Sequence, residues 1–138
     1  MVTSQSSTCG FTAITLAAGL AFLLPDNGAL AGSPGYDGVY KGQVTLTRGE
    51  AGFCGRSPIG VTKQVVNGQF SLVYDQSHNI GINLEVQPDG SFSGSQQYVP
   101  VGARQQSRIS ASGHIAGNVL DAHIEGDACA RDYHLTKG

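Results

Sequence analysis

Tryptophan is missing from this sequence, methionine occurs once, and no stretch beyond residue 32 repeats its apolar residues at a helical spacing. The last absence argues against a helical domain, because a helix that packs on a core shows an apolar stripe of period 3.6. Charge is sparse and nearly balanced, with 8 Lys and Arg against 10 Asp and Glu for a net charge of −2. Without a basic stripe to neutralise phosphates, nucleic acid and anionic membrane surfaces are poor partners. Catalytic signatures are absent too: the chain has no phosphate loop, dinucleotide fingerprint, CxxC, HExxH or Gly-x-Ser-x-Gly elbow. The expectation is a protein that is not an enzyme and needs no cofactor.

Long apolar runs are equally scarce. The one that exists, residues 11–24 (FTAITLAAGLAFLL), is about 14 residues long, short of the ~20 a membrane-spanning helix requires. Pro25, Asp26, Asn27 and Gly28 follow it, and then the small-x-small box Ala29-Leu30-Ala31. That order is the order of a cleavable export signal, although residues 1–10 lack the usual Lys or Arg. Residues 1–31 are therefore expected to be a signal peptide and residues 32–138 a single domain of a secreted or periplasmic protein, with no membrane insertion after cleavage. Cleavage removes Cys9 and leaves Cys54 and Cys129, and an even pair in an oxidising compartment is most simply a disulfide.

What is present beyond residue 32 is strand chemistry. Short runs of Val, Ile, Thr, Tyr and Phe alternate with polar residues and are punctuated by Gly, Asn and Asp. Eight strands are expected, at about 38–48, 59–66, 69–75, 80–87, 91–98, 104–115, 119–125 and 128–136. The turns test this reading, since a slip of one residue turns an apolar row outward. Asn67-Gly68 suits a two-residue type I′ loop that sets Val65 against Phe70 and Val61 against Tyr74. Pro88-Asp89-Gly90 suits a three-residue loop that sets Val86 against Phe92, Leu84 against Gly94 and Ile80 against Tyr98. Gly117-Asn118 and Gly126-Asp127 suit type II′ loops, matching Ile115 with Leu120, Ala111 with Ile124, Ile124 with Cys129, and Leu120 with Tyr133.

Such a meander places Cys54 just after the first strand and Cys129 at the start of the last, which become neighbours if those strands pair. The expected fold is all-β, an antiparallel meander closed or nearly closed into a small barrel. Its outward rows (Lys41, Gln43, Thr45, Thr47; Asn83, Glu85, Gln87) are polar, the reverse of a lipid-facing band. Tyr40, Val44, Leu46, Phe70, Leu72, Ile82, Leu84, Phe92, Ile109, Ile124 and Leu135 point inward as filling.

The opening Tyr36-Asp37-Gly38-Val39-Tyr40-Lys41-Gly42, the hairpins Val66-Asn67-Gly68-Gln69-Phe70 and Pro88-Asp89-Gly90-Ser91-Phe92, and the turn Ser112-Gly113-His114-Ile115-Ala116-Gly117-Asn118 resemble small secreted bacterial β-proteins of uncharacterised function. The resemblance implies a fold and an envelope location, and no activity. A looser architectural likeness extends to periplasmic protease and lysozyme inhibitors and to lipocalin-like or avidin-like barrels, without the Trp residues that mark several of them.

Three sets of residues are candidates for function. At one end of the meander the loops are tight; at the other they are longer, and recognition concentrates on longer loops held by a rigid scaffold. Phe53, Arg56, His78, Tyr98, Val99, Val101 and Arg104 are the expected contact set there, for an exported protein or a small ligand. The competing reading is that these loops only connect, with Phe53 and Val101 plugging the end of the barrel. On the outer wall, His114, Asp121 and Asp132 form a row, with His123 and His134 two positions along; facing carboxylates would repel unless a cation relieved them, or would splay apart on a solvated surface. Lys63 and Arg131 fall on inward rows, which suits a barrel mouth or a partner carboxylate better than an anion-binding centre. A binding or inhibitory module is the first functional expectation, and a structural or stress-protective envelope protein without a discrete site is the second.

Overall fold

The computed structural model describes residues 33–138. The export signal, Cys9 and the cleavage position before Gly32 lie outside the described residues. Eight strands follow one another: β1 (Gly38–Arg48), β2 (Ile59–Val65), β3 (Gln69–Asp75), β4 (Ile80–Glu85), β5 (Ser91–Tyr98), β6 (Ser107–Ala116), β7 (Val119–Glu125) and β8 (Ala130–Lys137). A single helical turn, α1 (Ala51–Cys54), joins β1 to β2. All the pairings are antiparallel. Among the described residues no helix is long and apolar enough to cross a membrane.

The tight turns have the expected chemistry. Asn67 and Gly68 both take positive φ, as a type I′ loop demands, and a Val66–Gln69 bridge closes it. The Asp37 carboxylate accepts both turn N–H groups, at 2.8 and 2.7 Å. Gln87 N–H donates to Ser91 O across a three-residue loop whose last member, Gly90, has φ 88°. At Gly117-Asn118 only the glycine has positive φ, and the ladder sets Ile115 against Leu120 and Ala111 against Ile124 as expected.

Strands β1 and β8 pair, the contact on which closure depends. Hydrogen bonding nevertheless does not close a barrel. Six strands form one sheet in the order β2-β1-β8-β7-β6-β5, and β3-β4 forms a second. The expected pairs Val61–Tyr74, Leu84–Gly94 and Ile80–Tyr98 are therefore not ladder partners. The seams are filled by side chains: Ile82 and Leu84 lean over Gly94, reaching within 3.3 and 3.1 Å of where a Cβ would stand. Buried residues from both sheets make one continuous core, with Tyr40, Leu72, Ile109, Ile124 and Leu135 fully enclosed. Leu46, expected among them, is only partly buried.

The β7–β8 register departs from expectation by two residues. The loop is 126–129 and not a two-residue turn, so Ile124 faces Arg131 and Leu120 faces Leu135. Gly126 N–H donates to Cys129 O, while Cys129 N–H is taken by the Tyr74 hydroxyl and its sulfur by the disulfide. Cys129 thus has no free group with which to pair opposite Ile124. Smaller differences are β4 ending at Glu85, β6 beginning at Ser107 and β8 beginning at Ala130.

Candidate functional site

The longer loops meet around the disulfide. Cys54 closes α1, Cys129 closes the 126–129 loop, and their Cα atoms lie 5.8 Å apart, an ordinary disulfide spacing. Gly49 makes room for the bridge: at φ 100°, a Cβ there would stand 2.4 Å from the Cys54 sulfur and 2.7 Å from Ala128 O. Arg48 reaches across to donate to Gly126 O, tying the end of β1 to the same loop.

Beside the bridge lies a pocket of about 350 Å3, lined by Phe53, Tyr74, Ile80, Tyr98, Pro100 and Val101 with polar groups from Asp75, His78, Ser107 and Asp127. The fold makes its floor from strand ends: Tyr74 comes from β3, Ile80 from β4 and Tyr98 from β5. The Tyr74 and Tyr98 rings lie 5.9 Å apart and tilted by 55°. Phe53 and Val101 stand at the rim, 79% and 78% exposed. A plug would be buried, so the reading in which these side chains seal the barrel end is overturned.

The 76–79 turn supplies the polar side. The Asp75 carboxylate accepts Ser77 N–H at 2.8 Å and lies 2.7 Å from His78 Nδ1. Partial burial opposes ionisation of Asp75, but these hydrogen bonds and the His78 charge outweigh it and hold its pKa below the ordinary value. Burial, aided by the Tyr74 hydroxyl and the Asp127 charge, pushes the Tyr98 phenol up to about 12.

Of the residues expected at this end, Phe53, His78, Tyr98 and Val101 come together in the pocket, whereas Arg56, Val99 and Arg104 are exposed outside its lining. Tyr74, Asp75, Ile80, Ser107 and Asp127 were missed. The Asp75-x-x-His78 spacing was a readable signal for a side-chain pair. Nothing in the local sequence marks Ser107 or Asp127, whose places follow from how β6 begins and how the β7–β8 loop folds.

The outer wall differs from expectation because of the register shift. Asp121 faces His134 and His123 faces Asp132, so the opposed carboxylates do not exist. Each pair is joined through the histidine Nδ1 at 2.5 Å. His114 lies beside Asp121 on the ladder but turns its Nε2 to Asp89 O at 2.9 Å. Among the described residues no three His, Cys, Asp or Glu side chains converge to hold a metal ion. Lys63 and Arg131 do face inward, as the pattern indicated, and line a second cavity between β2 and β3. Of the two settings expected for them, a barrel mouth or a partner carboxylate, the second is not found: every ion pair among the described residues involves a histidine.

No family model matches the chain, and no curated protein or solved structure matches it either.

The tyrosines give a testable pH dependence. Burial is the main cause that raises the phenols of Tyr40, Tyr98 and Tyr133 above the ordinary value. A raised pKa means the folded state holds these protons to higher pH than the unfolded chain does. The associated stability is complete below about pH 10, the unfolded value, and is lost as pH rises through the folded values. The tyrosine contribution to the unfolding free energy should thus be level up to about pH 10 and fall beyond it, with phenolate absorbance from these residues developing together with unfolding. Ionisation of Tyr98 near pH 10 in a fully folded protein would contradict the burial assigned to it.

Proposed function

We propose that the protein is a binding module of an oxidising, extracytoplasmic compartment, and that its loop-end pocket takes a small apolar or aromatic ligand. The observation that carries this reading is the pairing of two largely exposed apolar side chains, Phe53 and Val101, with a concave floor of Tyr74, Ile80 and Tyr98. Exposed apolar groups gathered around a concavity are what ligand sites present, and isolated ones are unremarkable. The volume, about 350 Å3, falls at the lower end of the ~300–1,000 Å3 typical of small-molecule sites. Asp75, His78 and Asp127 provide a polar edge that can orient a ligand carrying one hydrogen-bonding group.

The remainder of the molecule serves as a frame. In this reading the two sheets act together as a small barrel sealed at its seams by side chains. The disulfide fixes α1 against the 126–129 loop and so holds two walls of the pocket in place. It also supports placement outside the cytoplasm, where such bonds persist, in keeping with the export signal read at residues 1–31.

N-phenyl-1-naphthylamine, a neutral probe whose fluorescence rises in apolar surroundings, tests the reading. Saturable enhancement is expected with the native protein. Phe53→Asp and Val101→Asp should each weaken it by about tenfold, a loss of ~1.4 kcal/mol, while unfolding free energy stays within about 0.5 kcal/mol because both sites are exposed. No enhancement with the native protein would overturn the proposal. Capture of an exported protein that depends on Phe53 but is not displaced by the probe would replace it with protein recognition. An envelope-stress phenotype unaffected by either variant would favour the structural role.

A further inference from the structure

We propose that the cavity between β2 and β3 is a second binding site, for a carboxylate on a short aliphatic chain, with Arg131 and Lys63 as its cationic end. The cavity has a volume of about 190 Å3 and is lined by Val44, Ile59, Lys63, Val73, Arg131 and Tyr133, among others. That is room for several waters, at about 30 Å3 each, or one small organic anion. It is separate from the loop-end pocket, with which it shares no lining residue.

Arg131 is the decisive feature. It is only 6% exposed, the one charged residue in the core, and its Nε has no hydrogen-bond partner. No carboxylate among the described residues pairs with it or with Lys63. A buried charge without a counter-charge costs stability, and a fold normally removes it or pairs it. With the partly buried Lys63 on the same cavity and no carboxylate paired to either, the counter-charge is expected to arrive from outside. Lys63 points the same way: its partial burial holds the ammonium below its ordinary pKa, with no anion to restore it.

The geometry of the seam explains how a ligand enters. β2 and β3 meet through a Val66–Gln69 bridge at the tight end and form no ladder beyond it, so the strands part around Lys63 and Val73. Chemistry selects the ligand. A guanidinium presents a planar fork that fits a carboxylate with two parallel hydrogen bonds. Val44, Ile59, Val61 and Val73 supply an aliphatic wall that suits a short alkyl chain and itself offers no hydrogen bond to the further oxygens of a phosphate dianion.

The test uses the native, disulfide-bonded protein labelled with nitrogen-15, following the Arg131 Nε–Hε resonance while sodium butyrate replaces sodium chloride at constant ionic strength. A saturable shift is expected with butyrate and none with chloride. Arg131→Gln should weaken butyrate binding, followed by backbone amides around the seam, by about tenfold or more. Should that variant not fold, Lys63→Met, at a half-buried position, should still weaken binding severalfold. Failure of butyrate to move the resonance would overturn the site, as would binding that survives in Lys63→Met undiminished. Inorganic phosphate binding as tightly as butyrate would overturn the assignment to an aliphatic carboxylate. None of these outcomes depends on the naphthylamine result.

Discussion

Replacing Cys129 with serine is expected to lower the unfolding free energy by about 4 kcal/mol, the loop-closure entropy returned to the unfolded chain when a bridge spanning 75 residues is lost. Small domains possess only ~5–15 kcal/mol, so the variant should sit near the edge of folding. The bridge joins α1 to the loop before β8, and neither has a strand ladder of its own to hold it. Its loss should therefore also free Phe53 from the pocket rim and abolish probe binding in whatever fraction stays folded. Urea denaturation of the native and serine proteins measures the first effect, and its slope should rise because the uncrosslinked unfolded chain exposes more surface. A change below about 1 kcal/mol would mean that the two segments are held by packing alone.

Phe92→Ala should cost a comparable amount, about 3–5 kcal/mol, the usual range for deleting a buried phenylalanine. Phe92 is 2% exposed and meets Phe70 edge-on, with ring centroids 4.9 Å apart and planes at 88°. Phe70 belongs to the two-stranded sheet and Phe92 to the six-stranded one, so this contact bridges a seam that no ladder crosses. The cavity left by alanine cannot be refilled from behind, because Gly113 lies there with no side chain. Phe92→Leu keeps most of the buried area, forfeits the edge-to-face geometry, and should cost roughly 1–1.5 kcal/mol. Thermal or urea unfolding of the pair decides between packing and ladder as the glue between sheets. A loss below about 1 kcal/mol for the alanine variant would assign that task elsewhere.

The sequence was most legible where one strong local rule acted alone. Strand boundaries for β1, β3, β5 and β7 follow from period-two patterning ended by turn residues. The Asn67-Gly68 loop is legible because φ above zero at both positions restricts the choice of residues. Distant constraints were not legible. Gly126-Asp127 has the composition of a two-residue turn, yet Tyr74 and Cys54 claim the backbone and sulfur of Cys129 and lengthen the loop to four. Because the shift is even, the inward and outward faces survive it, and only the partners change: two histidine–aspartate pairs stand where two carboxylates were expected to repel. The seams were hidden for a related reason. Alternation reports which face of a strand is buried and is silent on whether its edges are paired, so β2-β3 and β4-β5 read like any other hairpins.

The pocket was half legible. Phe53 and Val101 could be placed at the longer-loop end because apolar residues on loops have no core to fill there, and His78 because its turn lies at the same end. The tyrosine floor depends on which strand ends converge, which patterning alone does not settle. Arg131 and Lys63 were legible as an anomaly, cations on an inward row, but their lack of a partner required knowing every carboxylate near them.

Mapping backbone amide shifts while the native protein is titrated with N-phenyl-1-naphthylamine tests the central claim most directly. The perturbed amides are expected to gather at α1, Asp75 and His78, Tyr98 to Ser107 and the 126–129 loop, leaving Lys63 and Arg131 of the β2–β3 cavity and the His123–Asp132 and His134–Asp121 pairs unmoved. Shifts centred on the outer wall or on the Asn67-Gly68 end, or scattered without a centre, would contradict it.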